Sequence, residues 1–196
     1  MSNWCMNRIT INYDDVNELE KLNNLIYEWT SKNYCENDFG LNWLGNIVGN
    51  SGIDTNKDGD FKVRCRGTID YNDVIGNQLI INTSTAWSPM MQMWKLVLDK
   101  YLPDAELIYE AEECGCEIYW TNDPAMKGNY IFDAFDCPDI NSDWEMPESI
   151  LIKELQGLLL TSQNNIKELL DEFYKSDLTD SISIHKWEFV GVDELE

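Results

Sequence analysis

Within the first thirty residues, the spacing of apolar side chains changes from every second residue to every third or fourth residue. In residues 7–13, "NRITINY", apolar side chains occupy alternate positions, which predicts a strand with one buried face. Asp15 followed by Glu18 has the order of an N-cap and a capping box. Apolar residues then recur at helical spacing: Leu19, Leu22, Ile26 and Trp29. The sequence therefore predicts a strand followed by an amphipathic helix.

The next sixty residues predict a connection and a hairpin. Residues 40–52, "GLNWLGNIVGNSG", are rich in Gly and Asn and indicate an irregular connection. In residues 61–66, apolar side chains alternate with Lys62, Arg64 and Arg66, which predicts a strand with one basic face. Residues 71–78 have turn-forming composition, and the β-branched run after them predicts a second strand. The two strands would pair within residues 61–86.

The remaining chain predicts helices and further strands. Ser88 and Pro89 have the order of an N-cap and a first helical residue, so a helix is predicted over residues 89–101. Its apolar face is Met90, Trp94, Val97, Leu98 and Tyr101. Residues 147–176 predict a helical segment that Gly157 and the polar run at 161–165 can divide in two. Further strands are predicted at 105–112, 116–121, 129–135 and 181–192.

This order of elements predicts an α+β fold. A βαββαβ series with right-handed crossovers gives an antiparallel sheet with its helices on one face, the ferredoxin-like arrangement. Extra strands, a C-terminal helical segment and a last strand would extend it. We expect a single domain over 1–196, with the ferredoxin-like core in 1–122 and residues 123–196 as a C-terminal extension packed on it.

Two segments resemble a known family. "SNWCMNRITI" near the start and "INTSTAWSPMMQMWKLVLDKYLPDAELIYEAEECG" in the middle are similar to the YubB-type ferredoxin-like proteins of conjugative plasmids and phages. The most specific element is Thr85-Ala86-Trp87-Ser88-Pro89. The preceding strand departs from the family's aromatic-rich pattern and keeps only Gly67 and Thr68. The resemblance covers less than a third of the chain. It implies a ferredoxin-like fold and a mobile-element setting, but no reaction and no catalytic residue.

The charge of the chain restricts its partners. The chain holds 36 Asp and Glu against 14 Lys and Arg, a net charge of −22, and is 43% hydrophobic, which suits a folded domain. More than half of the net charge lies in residues 101–150, which contain 13 acids and one base, Lys127. Such a chain repels nucleic acids and anionic membranes and attracts basic protein surfaces. Solubility alone is the simpler explanation of this excess.

Several observations bear on the compartment. No apolar run approaches the roughly 18 residues of a membrane helix. The start lacks the basic and apolar regions of a signal peptide, so we expect a cytoplasmic protein whose six cysteines are reduced. The tryptophans Trp29, Trp87 and Trp94 are expected in the core, because base-stacking proteins combine aromatic side chains with a positive groove.

Residues 54–60, "DTNKDGD", match the first half of a calcium loop. Asp54, Asn56 and Asp58 fit ligand positions, and Gly59 fits the turn glycine. The position of the bidentate acid is Cys65, however, so the interpretation we favour is an Asp-Gly turn.

Other motifs predict no metal, cofactor or enzyme. Cys114 and Cys116 with Cys137 fall short of the paired ligand spacing of zinc sites. His185 is the only histidine, and no nucleophile motif accompanies it. Phosphate-binding glycine loops are also missing from the sequence. We therefore expect no catalytic residue and no cofactor.

Charge and resemblance together lead to a functional hypothesis. The protein would be a non-enzymatic, acidic interaction protein of a mobile element, possessing a surface that imitates DNA and inhibits a nucleic-acid-binding defence protein. Same-face residues of a strand repeat at about 6.6 Å, near the separation of DNA phosphates, on the order of 6–7 Å. The candidate surface is Glu106, Glu110, Glu112, Glu113, Glu117, Asp133, Asp136, Asp139 and Asp143. The alternatives are a generic protein-binding or structural module and an enzyme whose site is not visible in linear sequence.

Overall fold

The computed structural model describes residues 3–56 and 58–195 and is an α+β protein. The chain divides into two compact units. The first unit comprises Met1–Asp123 and Val190–Glu196, and the second comprises Pro124–Phe189. The packing of residues 123–196 on the core stays a prediction.

The first unit contains an antiparallel sheet and three helices. Its strands are β1 (Trp4–Asn12), β2 (Gly67–Ile75), β3 (Gln78–Ala86), β4 (Glu106–Glu113) and β5 (Ile118–Thr121). Its helices are α1 (Val16–Thr30), α2 (Leu44–Ser51) and α3 (Met91–Tyr101). The strands lie in the order β2-β3-β1-β4-β5, and each neighbouring pair is antiparallel. Strand β1 therefore lies between β3 and β4 at the centre of these five strands.

The core of this unit lies on one face of the sheet. Ile9 and Ile11 of β1 point inward with Tyr109 of β4, and all three are fully buried. They join one apolar cluster with the buried faces of α1, α2 and α3. Asp15 caps α1 as predicted, because its carboxylate accepts a hydrogen bond from the Asn17 N–H at 3.0 Å. The three helices thus cover one sheet face and leave the alternate residues of the strands on the other.

Helix α2 corrects the predicted connection at residues 40–52. Its two glycines, which in the sequence suggested an irregular connection, allow aromatic side chains to pack closely against the helix. A Cβ on Gly45 would lie 2.3 Å from a ring carbon of Trp43, and one on Gly49 would lie 2.1 Å from the Tyr34 ring. The aromatic rings therefore rest directly on the helix backbone, and this burial outweighs the low helix propensity of glycine.

The first strand of the hairpin also differs from the prediction. Residues 61–66 do show alternating exposure, but the pairing with β3 begins only at Gly67. The expected turn region forms most of β2 instead, and the chain reverses at Gly76 and Asn77, where Gly76 has a φ of 63°. Alternating exposure of side chains indicates an extended backbone, but a paired β-strand also needs a neighbouring strand at hydrogen-bonding distance.

The region after β3 gives two further corrections. Helix α3 begins at Met91, and Ser88 does not cap it; the Ser88 carbonyl accepts a hydrogen bond from the Thr85 hydroxyl at 2.9 Å. Trp87 is not a core residue, since it is 48% exposed and has a φ of 73°. A left-handed backbone is unusual for so bulky a residue, and it turns the ring away from the inward face.

The second unit has its own small sheet and core. Its elements are β6 (Tyr130–Asp133), β7 (Asp143–Met146), α4 (Glu148–Leu159), α5 (Ile166–Phe173), β8 (Ser183–Lys186) and the two-residue strand β9 (Glu188–Phe189). The sheet order is β7-β6-β8, and both pairs are antiparallel. The helical segment is divided as predicted, with the first helix ending before Leu160 at a φ of 52°.

No helix in the described part of the chain combines the length and apolarity that crossing a membrane requires.

Candidate functional site

The side of the first unit's sheet opposite the helices is the main candidate site, and we call it the outer sheet face. On β4 it carries Glu106, Ile108, Glu110 and Glu112, and on β1 it carries Met6, Arg8, Thr10 and Asn12. All eight are exposed or half-buried, whereas the residues between them on β1 and β4 mostly point into the core. Because alternate residues of a strand point to the same face, three of the predicted acidic residues lie together on one surface.

Each of these three glutamates has a defined neighbour. The Glu106 carboxylate accepts a hydrogen bond from Asn12 Nδ2 at 2.9 Å. Glu110 lies opposite Arg8 in the β1–β4 register. Glu112 accepts a hydrogen bond from the Cys114 thiol at 3.2 Å. One arginine faces this row of carboxylates, so the charge along β4 remains negative.

The negative charge continues onto β2. Asp70 occupies a bulge in the β2–β3 pairing, and its carboxylate accepts hydrogen bonds from the Ser84 hydroxyl at 2.6 Å and the Thr68 hydroxyl at 3.3 Å. Asp73 is also exposed. It pairs with Ile80, two residue pairs before the last pair of the hairpin, Ile75 with Gln78. The bulge leaves the consecutive residues Asp70 and Tyr71 both exposed, whereas neighbouring residues of a regular strand point to opposite faces.

Large apolar side chains share this face with the acids. Met6 is 53% exposed, and Trp4, Tyr71 and Ile75 are also exposed. Protein interfaces typically place aromatic residues and Met in a desolvated centre with polar groups around them. The outer sheet face therefore has the composition of a protein interface in addition to its negative charge.

Glu113 and Glu117 lie apart from this row. Glu113 is only 7% exposed, and its carboxylate accepts hydrogen bonds from the N–H groups of Gly115 and Cys116, which caps the 3-10 turn Cys114–Cys116. Glu117 is exposed just after this turn, with a φ of 55°. Counting alternate positions from Tyr109 and Ala111 assigns Glu113 to the inward face, a signal already present in the sequence.

The pKa values of four cysteine thiols are raised, two of them in the turn beside Glu113. Burial first, and then the Glu112 carboxylate, raises the pKa of Cys114, whereas a hydrogen bond to Glu113 is the main cause that raises the pKa of Cys116. Burial raises the pKa of Cys5 and of Cys65 to about 12. None of these four thiols has the lowered pKa that marks a reactive thiolate.

The four aspartates predicted in the second unit have different surroundings. Asp133 accepts a hydrogen bond from the Ser142 hydroxyl at 2.8 Å, and Asp136 is exposed. Asp139 and Asp143 both line a groove of about 670 Å³. The Asp143 carboxylate also accepts a hydrogen bond from the Glu145 N–H at 2.9 Å. The structure thus brings together two of the four.

The described residues contain no group of three or more His, Cys, Asp and Glu side chains placed to hold a metal ion. Cys114 and Cys116 belong to the first unit and Cys137 to the second, and all six cysteines are free thiols. His185 is half-buried on β8.

The loop at residues 54–60 is closed by its own hydrogen bonds. The Asp54 carboxylate accepts hydrogen bonds from the N–H groups of Lys62 at 2.6 Å and Asn56 at 3.3 Å. Asn56 in turn donates through Nδ2 to the Asp60 carbonyl at 2.6 Å. Gly59 has a φ of 75°, as a turn glycine requires. Several of the oxygens that calcium would need therefore already accept hydrogen bonds from the loop.

We expect this loop to bind no calcium at micromolar concentration. Cys65 stands where calcium loops have their bidentate acid, and Lys62 adds a positive charge nearby. Titration calorimetry at neutral pH should give no heat of binding, and Asp58→Ala should give the same trace as the unaltered protein. Saturable binding that Asp58→Ala abolishes would contradict this expectation.

Comparisons of the chain with protein-family models, with curated proteins and with solved structures gave no match.

Proposed function

We propose that the protein is a non-enzymatic acidic interaction protein of a phage or plasmid. In this proposal its acidic surface occupies the basic, nucleic-acid-binding cleft of a host defence protein of the restriction or CRISPR type. The partner is thus a protein, and the chain itself binds no nucleic acid.

The observation that carries the proposal is the row of Glu106, Glu110 and Glu112 on the outer sheet face. Glu110 and Glu112 occupy successive same-face positions, about 6.6 Å apart, and Glu106 lies two such steps from Glu110, about 13 Å, with Ile108 between them. DNA phosphates have a similar separation, on the order of 6–7 Å. A cleft whose Lys and Arg side chains are placed for phosphates can therefore meet carboxylates at matching intervals.

The exposed apolar residues support the same proposal. A surface that served only solubility would gain nothing from exposing Trp4, Met6 and Tyr71 beside its acids. In an interface these side chains would supply the desolvated centre, and the carboxylates would supply orientation and a fast encounter.

We also propose that the first unit is a ferredoxin-like domain. The order β2-β3-β1-β4, with antiparallel pairs and helices after β1 and β3, supports this proposal. Together with the similarity of residues 2–11 and 81–115 to YubB-type proteins, it favours a mobile-element origin.

The proposal predicts that Glu106→Gln, Glu110→Gln and Glu112→Gln together weaken partner binding. Each exposed charge pair contributes on the order of 0.5–1 kcal/mol, so the loss should be graded as substitutions are added. A tagged protein would first capture its partner from a bacterial lysate. The affinity of the purified pair would then be measured at several salt concentrations, since screening should weaken all charge pairs together.

A matched control is Glu20→Gln, Glu36→Gln and Glu172→Gln, which removes three exposed charges elsewhere. It should leave the affinity nearly unchanged, and DNA or RNA should compete with the unaltered protein for the partner. Glu113 is kept in both sets because it is buried and caps a turn. If both sets weaken binding equally, or if neither salt nor nucleic acid affects it, the mimicry proposal is wrong and the acids serve solubility.

A further inference from the structure

The second unit contains a groove with an acidic rim and an aromatic side chain. The groove has a volume of about 670 Å³, within the usual range of ligand pockets. Four carboxylates line it, from Asp139, Asp143, Glu145 and Glu154. Trp144, which is 44% exposed, and the exposed Ile150 supply apolar surface.

Charge determines which ligand this groove can accept. As far as the described residues show, no Lys, Arg or His lines the groove, and none of the four carboxylates forms a salt bridge. An anion or a wholly apolar segment would have to be placed beside these unneutralised charges at an electrostatic cost. A cationic side chain would be attracted by the rim, and its alkyl stem could pack on Ile150.

The exposed tryptophan points to the same class of ligand. The negative face of an indole ring attracts Arg and Lys, and tryptophan is the most effective aromatic residue in this role. The backbone at Trp144 is fixed, because its carbonyl accepts a hydrogen bond at 2.7 Å from Nε1 of the buried Trp187. The indole is therefore held on an anchored strand and not on a free loop.

We infer that this groove binds an arginine-bearing segment of a partner protein, with the guanidinium between the Trp144 ring and the rim carboxylates. Arginine fits better than lysine because its planar group can stack on the indole and bind a carboxylate with two hydrogen bonds at once. The inference rests on the proposed function, since it assigns a contact to the same basic partner. It concerns the second unit alone, however, and its test needs no identified partner.

The test uses a capped peptide of six arginines and the full-length protein, with titration calorimetry at about 0.15 M salt. Asp139→Asn with Glu154→Gln should weaken peptide binding roughly fivefold, and Trp144→Leu roughly threefold. The matched control is Asp171→Asn with Glu172→Gln, which removes the same charges from exposed positions of α5. It should weaken binding by less than roughly twofold. A capped peptide of six citrullines, which lacks the charge, should not bind.

A second readout places the peptide. The Trp144 indole signal in an amide correlation spectrum, identified by its loss in Trp144→Leu, should shift as the arginine peptide is added. Equal weakening by the groove and control pairs, or an unmoved indole signal, would overturn the inference and attribute binding to the overall charge. The Glu106, Glu110 and Glu112 variants should leave the shift of the Trp144 indole signal unchanged, because those residues belong to the first unit and the groove to the second. Their failure to affect a partner would therefore overturn the proposed function while the groove result stands.

Discussion

Replacing Trp94 with alanine should lower the free energy of unfolding by roughly 3–5 kcal/mol, as truncation of a large aromatic side chain in a core does. Trp94 lies in the middle of α3 with no exposed surface, in the same cluster as Ile9, Ile11 and Tyr109 of the sheet. Its removal would leave a large cavity between the helix and the central strands. Urea melts followed by circular dichroism measure the loss.

Two variants of the same helix test this explanation. Leu96→Ala changes an exposed side chain and should cost less than about 0.5 kcal/mol. Trp94→Phe should cost less than Trp94→Ala, because the phenyl ring leaves a smaller cavity; both variants remove the indole Nε1, for which the described residues supply no hydrogen-bond partner. A loss below about 1 kcal/mol for Trp94→Ala would show that this face of α3 is not packed as described.

The face of α3 was predictable from sequence, but its first residue was not. Met90, Trp94, Val97 and Leu98 are buried as their helical spacing predicts. Ser88 and Pro89 suggested an earlier start, yet the Ser88 carbonyl accepts the Thr85 hydroxyl instead. Periodicity reflects burial over several turns, whereas a helix end depends on a few local hydrogen bonds that the sequence leaves open.

The candidate site shows the same division. Alternation along β4 was enough to place Glu106, Glu110 and Glu112 on one face. The groove around Trp144 was not predictable, because it combines β7, the loop before it and α4. Only the packing of the second unit brings Glu154 near Asp139. Adjacency between distant segments is the part of a site that a single sequence does not contain.

Helix α2 is the element that the sequence predicted least well, and the buried hydrogen bonds of Asn46 help to stabilise it. Asn46 has no exposed surface. Its Nδ2 donates hydrogen bonds to the carbonyls of Leu41 at 2.8 Å and Gly40 at 3.0 Å, and its Oδ1 accepts the Tyr34 N–H at 3.0 Å. One side chain thus joins the helix to the preceding loop. Asparagine is common in loops, so the sequence suggested a loop here; in the fold, this buried side chain connects the helix to the loop by hydrogen bonds.

Asn46→Ala should therefore cost about 3 kcal/mol, since it leaves the Tyr34 N–H and the loop carbonyls without partners at a poorly hydrated site. Asn50→Ala is the matched control on the same helix. Its Nδ2 also donates to two carbonyls, those of Trp29 and Lys32, but Asn50 is half-exposed, and water can replace it. We expect a loss of about 1 kcal/mol there. Urea melts measure both variants, and limited proteolysis should cut residues 35–42 faster in Asn46→Ala alone. Equal losses, or unchanged cleavage, would mean that Asn46 does not hold the loop to α2.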